Sequence, residues 1–143
     1  MKLIQISVFL ENKKGRLSEV CSLLGSEGIN IRALTIAESE DFGVLRMVVD
    51  KPDETLSLLK KNSFVANLTE IVAVEVEDKP GGLSDVLKIL CAKEINVEYM
   101  YGFIEKHSDK ALLVFRFENN DQAIEVLKSN NIKIVNKDDV LNL

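Results

Sequence analysis

Apolar and polar residues alternate from the start of the chain. Ile4, Ile6, Val8 and Leu10 fall on one side and Gln5 and Ser7 on the other, the period of a strand with one buried face. The period then changes. After a short polar loop over 11–15, Leu17, Val20, Cys21 and Leu24 recur at helical spacing and make a single apolar stripe. Gly28 is suited to the left-handed residue that closes such a helix. Residues 31–37 and 44–50 read as two further strands, joined by a hairpin at the acidic run Glu38-Ser-Glu-Asp41 and Phe42-Gly43. Pro52-Asp53-Glu54 opens a second helix, where a missing amide donor does no harm and acids suit the positive end. Leu56, Leu59 and Leu58 give that helix its inner side, and 64–68 reads as a short fourth strand.

The same order then returns. Residues 71–76 form a strand with Val72, Val74 and Val76 on one face, and Leu83, Val86, Leu87 and Leu90 form the helical stripe. Strands over 97–104 and 112–118, a helix over 121–129 with Ile124 and Leu127 inward, and a strand over 132–135 complete it. The residues themselves repeat as well. Glu11 to Ile31 aligns with Glu77 to Val97 without a gap, and nine of the 21 positions are identical. The chain is an internal duplication, divided here at 1–69 and 70–143. Each half reads β-α-β-β-α-β, which with right-handed crossovers gives a ferredoxin-like α+β unit: an antiparallel sheet with both helices on one face. Met47, Val48, Phe115 and Phe117 put apolar groups on both faces of the third strands, so packing beyond the single unit is expected. Halves of about 70 residues are marginal alone, and a homodimer is expected.

Composition narrows the function. A chain of 143 residues with 46% hydrophobic and 29% charged residues reads as an ordinary globular protein. No apolar run approaches the ~20 residues needed to cross a bilayer, and the first residues lack the apolar core of a signal peptide. The expectation is a cytoplasmic protein with no membrane association. A net charge of −5 speaks against nucleic acid as a partner, since phosphate backbones call for a basic face. Cys21 and Cys91 have no metal-ligand spacing and are expected as buried reduced thiols. One His cannot complete a zinc site with them, and His107 is expected as a solvated hairpin residue. No catalytic set, metal site or cofactor motif is visible.

The candidate chemistry lies in the two loops between first strand and first helix. They read Asn12-Lys13-Lys14-Gly15-Arg16-Leu17 and Asp78-Lys79-Pro80-Gly81-Gly82-Leu83. The amides around Gly15–Leu17 and Gly81–Leu83 have no partner inside their helix, so they can receive a carboxylate. Glycine lets a ligand come close to the backbone. Asn12, and Asn30 at the start of the second strand, can offer an amide oxygen to an ammonium group; Asn96 repeats Asn30. On spacing alone, a tight turn is the commoner reason for a glycine at a helix start.

Acid-x-[Pro or Lys]-Gly-x-Leu, an apolar helix and then Gly-Ile-Asn-Ile resembles the ACT domain, a small regulatory module that binds amino acids beside metabolic enzymes. The resemblance covers both halves, and the second carries Asp78-Lys-Pro-Gly-Gly-Leu83 in full. It implies a free amino acid as ligand, held between two ACT units. One unit would contribute its first loop, here Asn12 or Asp78, and its neighbour would contribute Asn30 or Asn96. A metabolic enzyme is the implied partner. Two departures stand out: Lys14 and Arg16 replace a proline and a small residue, and Glu94 replaces the glycine of the second Gly-Ile-Asn, where a turn of different shape is expected. The rival readings are a ligand-free interaction subunit of a biosynthetic enzyme, and a hydrolase with an Arg-bearing phosphate cradle like that of acylphosphatases. The hydrolase is disfavoured because Gly82 occupies the place of Arg16 in the second copy.

Overall fold

In a computed structural model of the chain, which describes residues 2–105 and 109–141, the elements follow the duplicated order. They are β1 (Lys2–Glu11), α1 (Arg16–Ser26), β2 (Ile31–Glu38), β3 (Phe42–Val49), α2 (Pro52–Lys61), β4 (Val65–Val76), α3 (Gly82–Ala92), β5 (Val97–Gly102), β6 (Ala111–Phe117), α4 (Asn120–Ser129), β7 (Ile134–Val135) and α5 (Lys137–Leu141). Two compact units result: Ile4–Thr69, and Glu70–Leu143 together with Met1–Leu3.

In the first unit the strand order is β2-β3-β1-β4, with β2 at the outer edge. β1 and β2 both pair antiparallel with β3, Val8 opposite Leu45 and Leu34 opposite Met47. Period-two alternation aims Ile6, Val8, Leu10, Leu45 and Met47 at the helices, where they pack with Val20, Leu24, Leu59 and Phe64. Each such residue contributes roughly 1.5–3 kcal/mol by leaving water. Leu17 departs from the predicted stripe: it opens the first turn of α1, beyond the sheet, and is 40% exposed.

The second unit has the order β5-β6-β4-β7, with β6 antiparallel to both β4 and β5. Its core joins Val72, Val74 and Val76 to Val86, Leu90, Phe115, Phe117, Ala123 and Leu127, with the two phenylalanine rings stacked at 5.4 Å. Asn119 caps α4 by accepting from the Gln122 amide at 3.1 Å.

Three further expectations change, and one element is added. The strands read over 64–68 and 71–76 are one strand, β4: no glycine or proline breaks Asn67-Leu-Thr-Glu-Ile71, and pairing along the sheet carries the chain through it. The last five residues of the described chain form α5, whose start Asn136 caps by accepting from the Asp139 amide at 3.1 Å. Cys21 is half-buried and Cys91 is exposed, since both sit at the margin of their helices' inner faces. Finally, Glu94 adopts φ 56° and closes α3 with the same pair of hydrogen bonds that Gly28 uses, so the turn keeps its shape. His107 and much of the hairpin over 105–110 lie outside the described residues. Among the described residues, no helix is long and apolar enough to cross a membrane.

Candidate ligand site at the first loop

The chain leaves β1 at Glu11 and enters α1 at Arg16 through a turn that needs Gly15 at φ 89°, a conformation that costs a residue with a Cβ about 1–2 kcal/mol. Asn12 ties this loop to the neighbouring hairpin. Its amide nitrogen donates to the Ser39 and Glu40 carbonyls at 3.4 and 3.3 Å, and its backbone N–H donates to the Asp41 carbonyl at 2.9 Å. The donor side of the Asn12 amide is therefore spent on the hairpin. Its oxygen is the atom left to meet a ligand.

A cleft of about 180 Å³ opens beside this loop, lined by Leu10, Glu11, Asn12, Lys13, Arg16, Leu17, Ile36, Glu38 and Gly43. The last three come from β2 and β3. The linear sequence gave no sign of them, because only strand register carries Gly43 to Leu10 and Ile36 over Gly43. Lys13 Nζ lies 3.0 Å from Glu11 Oε2, and the hydrogen bond from that ammonium holds the Glu11 carboxyl below the usual carboxylate range. Arg16 reaches back over the Phe64 ring, 4.8 Å from its centroid, and donates to Glu19 Oε2 at 2.8 Å. Its Nε is buried without a partner. Lys14 and Gly15 are exposed at the loop tip.

Asn30 is elsewhere. Its backbone N–H donates to Asp50 Oδ1 at 3.0 Å and its carbonyl accepts from the Asp50 amide at 3.2 Å. It thus sits at the end of β2 opposite the hairpin that Asn12 braces. At about 3.3 Å of rise per residue the length of β2 keeps the two asparagines roughly 25 Å apart. Within one unit they cannot touch one ligand. A larger hollow of about 490 Å³ lies towards the Asn30 end, between Glu27, Ile29, Asp53, Glu54, Ser57, Leu58 and Lys61. Glu27 stands at the end of α1, Asp53 and Glu54 open α2, and Lys61 closes it.

In the second unit, Gly81 takes φ 84° at the equivalent turn, and the Gly82 amide donates to the Lys79 carbonyl at 3.0 Å across Pro80. Asp78 is exposed in this loop, while Leu83 turns inward and packs against the second core. Asn96 mirrors Asn30: its carbonyl accepts from the Glu118 amide at 3.4 Å, and it lines a hollow of about 430 Å³ with Glu94, Ile95, Glu118, Asn119 and Gln122. Among the described residues, no group of three or more His, Cys, Asp or Glu side chains is arranged to hold a metal ion.

Two loops of this build on two β-α-β-β-α-β units agree with a family model described as an ACT domain pair, which matches residues 1–143. The chain belongs to the ACT domain family. A crystal structure of protein BT0572 from Bacteroides thetaiotaomicron resembles this ACT pair with a TM-score of 0.93 and 43% identity, over 100% of this chain and 98% of that one. The ligand-free regulatory subunit of aspartate kinase from Thermus thermophilus shares the fold, with a TM-score of 0.63 and 16% identity over 88% and 90% of the two chains. Among curated proteins, the acetolactate synthase isozyme 3 small subunit of Escherichia coli is 32% identical over 69 residues, which is 48% of this chain and 42% of that protein. The acetolactate synthase small subunit of Buchnera aphidicola is 29% identical over 75 residues, 52% of this chain and 47% of its own length. The ACT pair thus spans less than half the length of these curated relatives.

Proposed function

We propose that this ACT pair is a regulatory protein, without catalytic activity of its own, that binds a free amino acid between two ACT units. The observation that carries the reading is the first-loop cleft. Asn12, Lys13 and Arg16 form one wall, and Ile36 and Glu38 of the edge strand β2 form the other. A ligand there lies next to a strand edge with unused backbone groups. Leu17, Leu34 and Ile36 beside it are between 36% and 47% exposed, more apolar surface than a solvated edge needs. A homodimer through this edge, with the strands antiparallel, brings the first loop of one copy towards Asn30 of the other. That arrangement supplies the second half of the site which one unit lacks.

Regulation follows by linkage. A ligand bridging two units favours the arrangement in which both its walls are present, and only its differential affinity for that arrangement does work. The likeness to small and regulatory subunits of acetolactate synthase and aspartate kinase supports a biosynthetic enzyme as the partner that reads the change, in the cytoplasm. A thermal-shift screen against the twenty amino acids tests the reading. A ligand at about a hundred times its dissociation constant adds roughly 2.7 kcal/mol, and Asn12→Ala or Asn30→Ala should each abolish the shift. A flat screen favours the other reading, a ligand-free interaction subunit.

A further inference from the structure

We infer that β2 pairs with β2 of a second copy in one register, with the two-fold axis at Thr35. The inference rests on the edge-to-edge dimer proposed above, and it fixes which residues each copy gives to the other's cleft. β2 is an end strand of the sheet. It holds no lysine and no proline, residues that commonly guard an exposed edge. After a register shift between Ile31 and Ala33, it pairs regularly with β3 as far as Glu38. Leu34, Ile36 and Glu38 lie opposite Met47, Leu45 and Gly43 and share the face that carries the helices; Ala33, Thr35 and Ala37 share the other.

A two-fold axis normal to the sheet keeps the helices of both copies on one side. Residues directly opposite each other then point the same way, so only registers that pair even numbers with even and odd with odd survive. Centred on Leu34, such a register sets Arg32 against Ile36; centred on Ile36, it sets Leu34 against Glu38. Both place a charge against an apolar residue. Centred on Thr35, Leu34 meets Ile36, Ala33 meets Ala37 and Arg32 meets Glu38, each pair occurring twice by symmetry. Apolar and opposite-charge cross-strand pairs both favour pairing. β5, at the other end of the strand order, carries Glu98 and no cation, so it offers Glu38 no such match.

The register reaches the candidate site. Ile36 and Glu38 wall the first-loop cleft, so the second copy brings its Leu34 and Arg32 to that wall. Asn30 of the second copy comes to the turn at Glu40, whose carbonyl accepts from the Asn12 amide at 3.3 Å. The two asparagines that stand at opposite ends of one unit converge across the dimer. Complementarity along the strand and convergence of the asparagines thus select the same register.

Cysteine crosslinking tests the register without any ligand, in the full chain carrying Cys21→Ser and Cys91→Ser. Opposite residues of an antiparallel pair stand about 4.5–5.5 Å apart at Cβ and diagonal ones about 7–8 Å, and a disulfide spans only the shorter distance. Under mild oxidation Thr35→Cys should link two chains at least about tenfold faster than Leu34→Cys or Ile36→Cys. Faster linking through residue 34 or 36, or no linking at any of the three, would overturn the register. Arg32→Glu and Glu38→Arg should each weaken the dimer about tenfold in sedimentation, because two pairs turn repulsive. The double variant should regain wild-type assembly, and a double variant no better than the single ones would equally overturn the register. A link at residue 35 with a flat amino-acid screen leaves the dimer standing and removes the binding reading. A positive screen with the link at residue 34 or 36 keeps the binding reading and removes the register.

Discussion

Glu94 and Gly28 occupy the same left-handed position at the ends of α3 and α1, with φ 56° and 69°. In both turns the following isoleucine amide bonds to a leucine carbonyl five residues back at 3.0 Å, Ile29 to Leu24 and Ile95 to Leu90. Ser63 and Asn131 repeat the geometry after α2 and α4, followed by Phe64 and Ile132. All four long helices thus end on one device that drops an apolar residue onto the core. The conformational cost is lowest at the glycine and highest where a residue with a long side chain takes its place. Glu94→Gly is expected to stabilise the chain by about 0.5–1 kcal/mol, after the extra unfolded-state entropy of glycine is subtracted. Urea unfolding measures it, and Gly28→Glu should shift the midpoint the other way.

Leu24 and Leu90 are the matched anchors of the two cores, both at most 1% exposed. Truncating either to alanine removes the same atoms from equally tight surroundings. Each should cost about 2–5 kcal/mol, seen as a lower denaturation midpoint. A much smaller effect at one of them would mean that its core collapses around the gap.

Asn12 should matter even without ligand. Asn12→Asp, the residue found in the second copy, replaces the two side-chain donations to Ser39 and Glu40 with an acceptor facing two carbonyls. Exchange at the hairpin over 38–42 is expected to rise. The global stability cost should stay near 1 kcal/mol, because neutral hydrogen bonds of this kind contribute about 0.5–1.5 kcal/mol each and these are exposed.

Glu11 sets an acid-side prediction. Its carboxyl is held low in the folded chain, first by the hydrogen bond from Lys13 and then by the charges of Lys13 and Arg16. A depressed folded value contributes stability above the unfolded pKa, and that stability is lost as pH falls through the folded value. Glu11→Gln should therefore lose less stability than the wild type on acidification below about pH 4.5. Parallel curves would remove the ion pair from the account of this loop.

The edge of β2 makes the last prediction. Ile36→Lys sets a charge on an exposed edge position, which natural edges use to block pairing. If the proposed edge-to-edge dimer forms, the wild type is expected to sediment as a dimer and the variant as a monomer, with the far-ultraviolet circular dichroism spectrum retained; equal sedimentation of the two would remove the edge from the proposal.

The order of elements was legible in the sequence because the core of each unit is periodic along the chain. Val8 and Leu10, Val20 and Leu24, and Val86 and Leu90 repeat with the period of the element that carries them. The duplication then confirmed each assignment against its copy. The loop glycines were legible for a similar reason, since Gly15 and Gly81 answer a local demand for positive φ. Local signals failed where no residue type marks an event. Nothing in Asn67-Leu-Thr-Glu-Ile71 says whether the strand stops, and hydrogen bonding along the sheet carries it through. Likewise Glu94 keeps a turn that its own conformational preference opposes, because the bond to Leu90 and the burial of Ile95 outweigh about 1–2 kcal/mol of strain.

What the sequence by itself determined is the repeated β-α-β-β-α-β plan, the core stripes and the location of the two glycine loops. Those depend on periodicity and on residues that act through their own backbone. Only the tertiary structure decided that Asn12 and Asn30 stand at opposite ends of one unit, and that Ile36, Glu38 and Gly43 complete the first cleft. These are relations between residues brought together by strand register, and spacing along a chain carries no record of them.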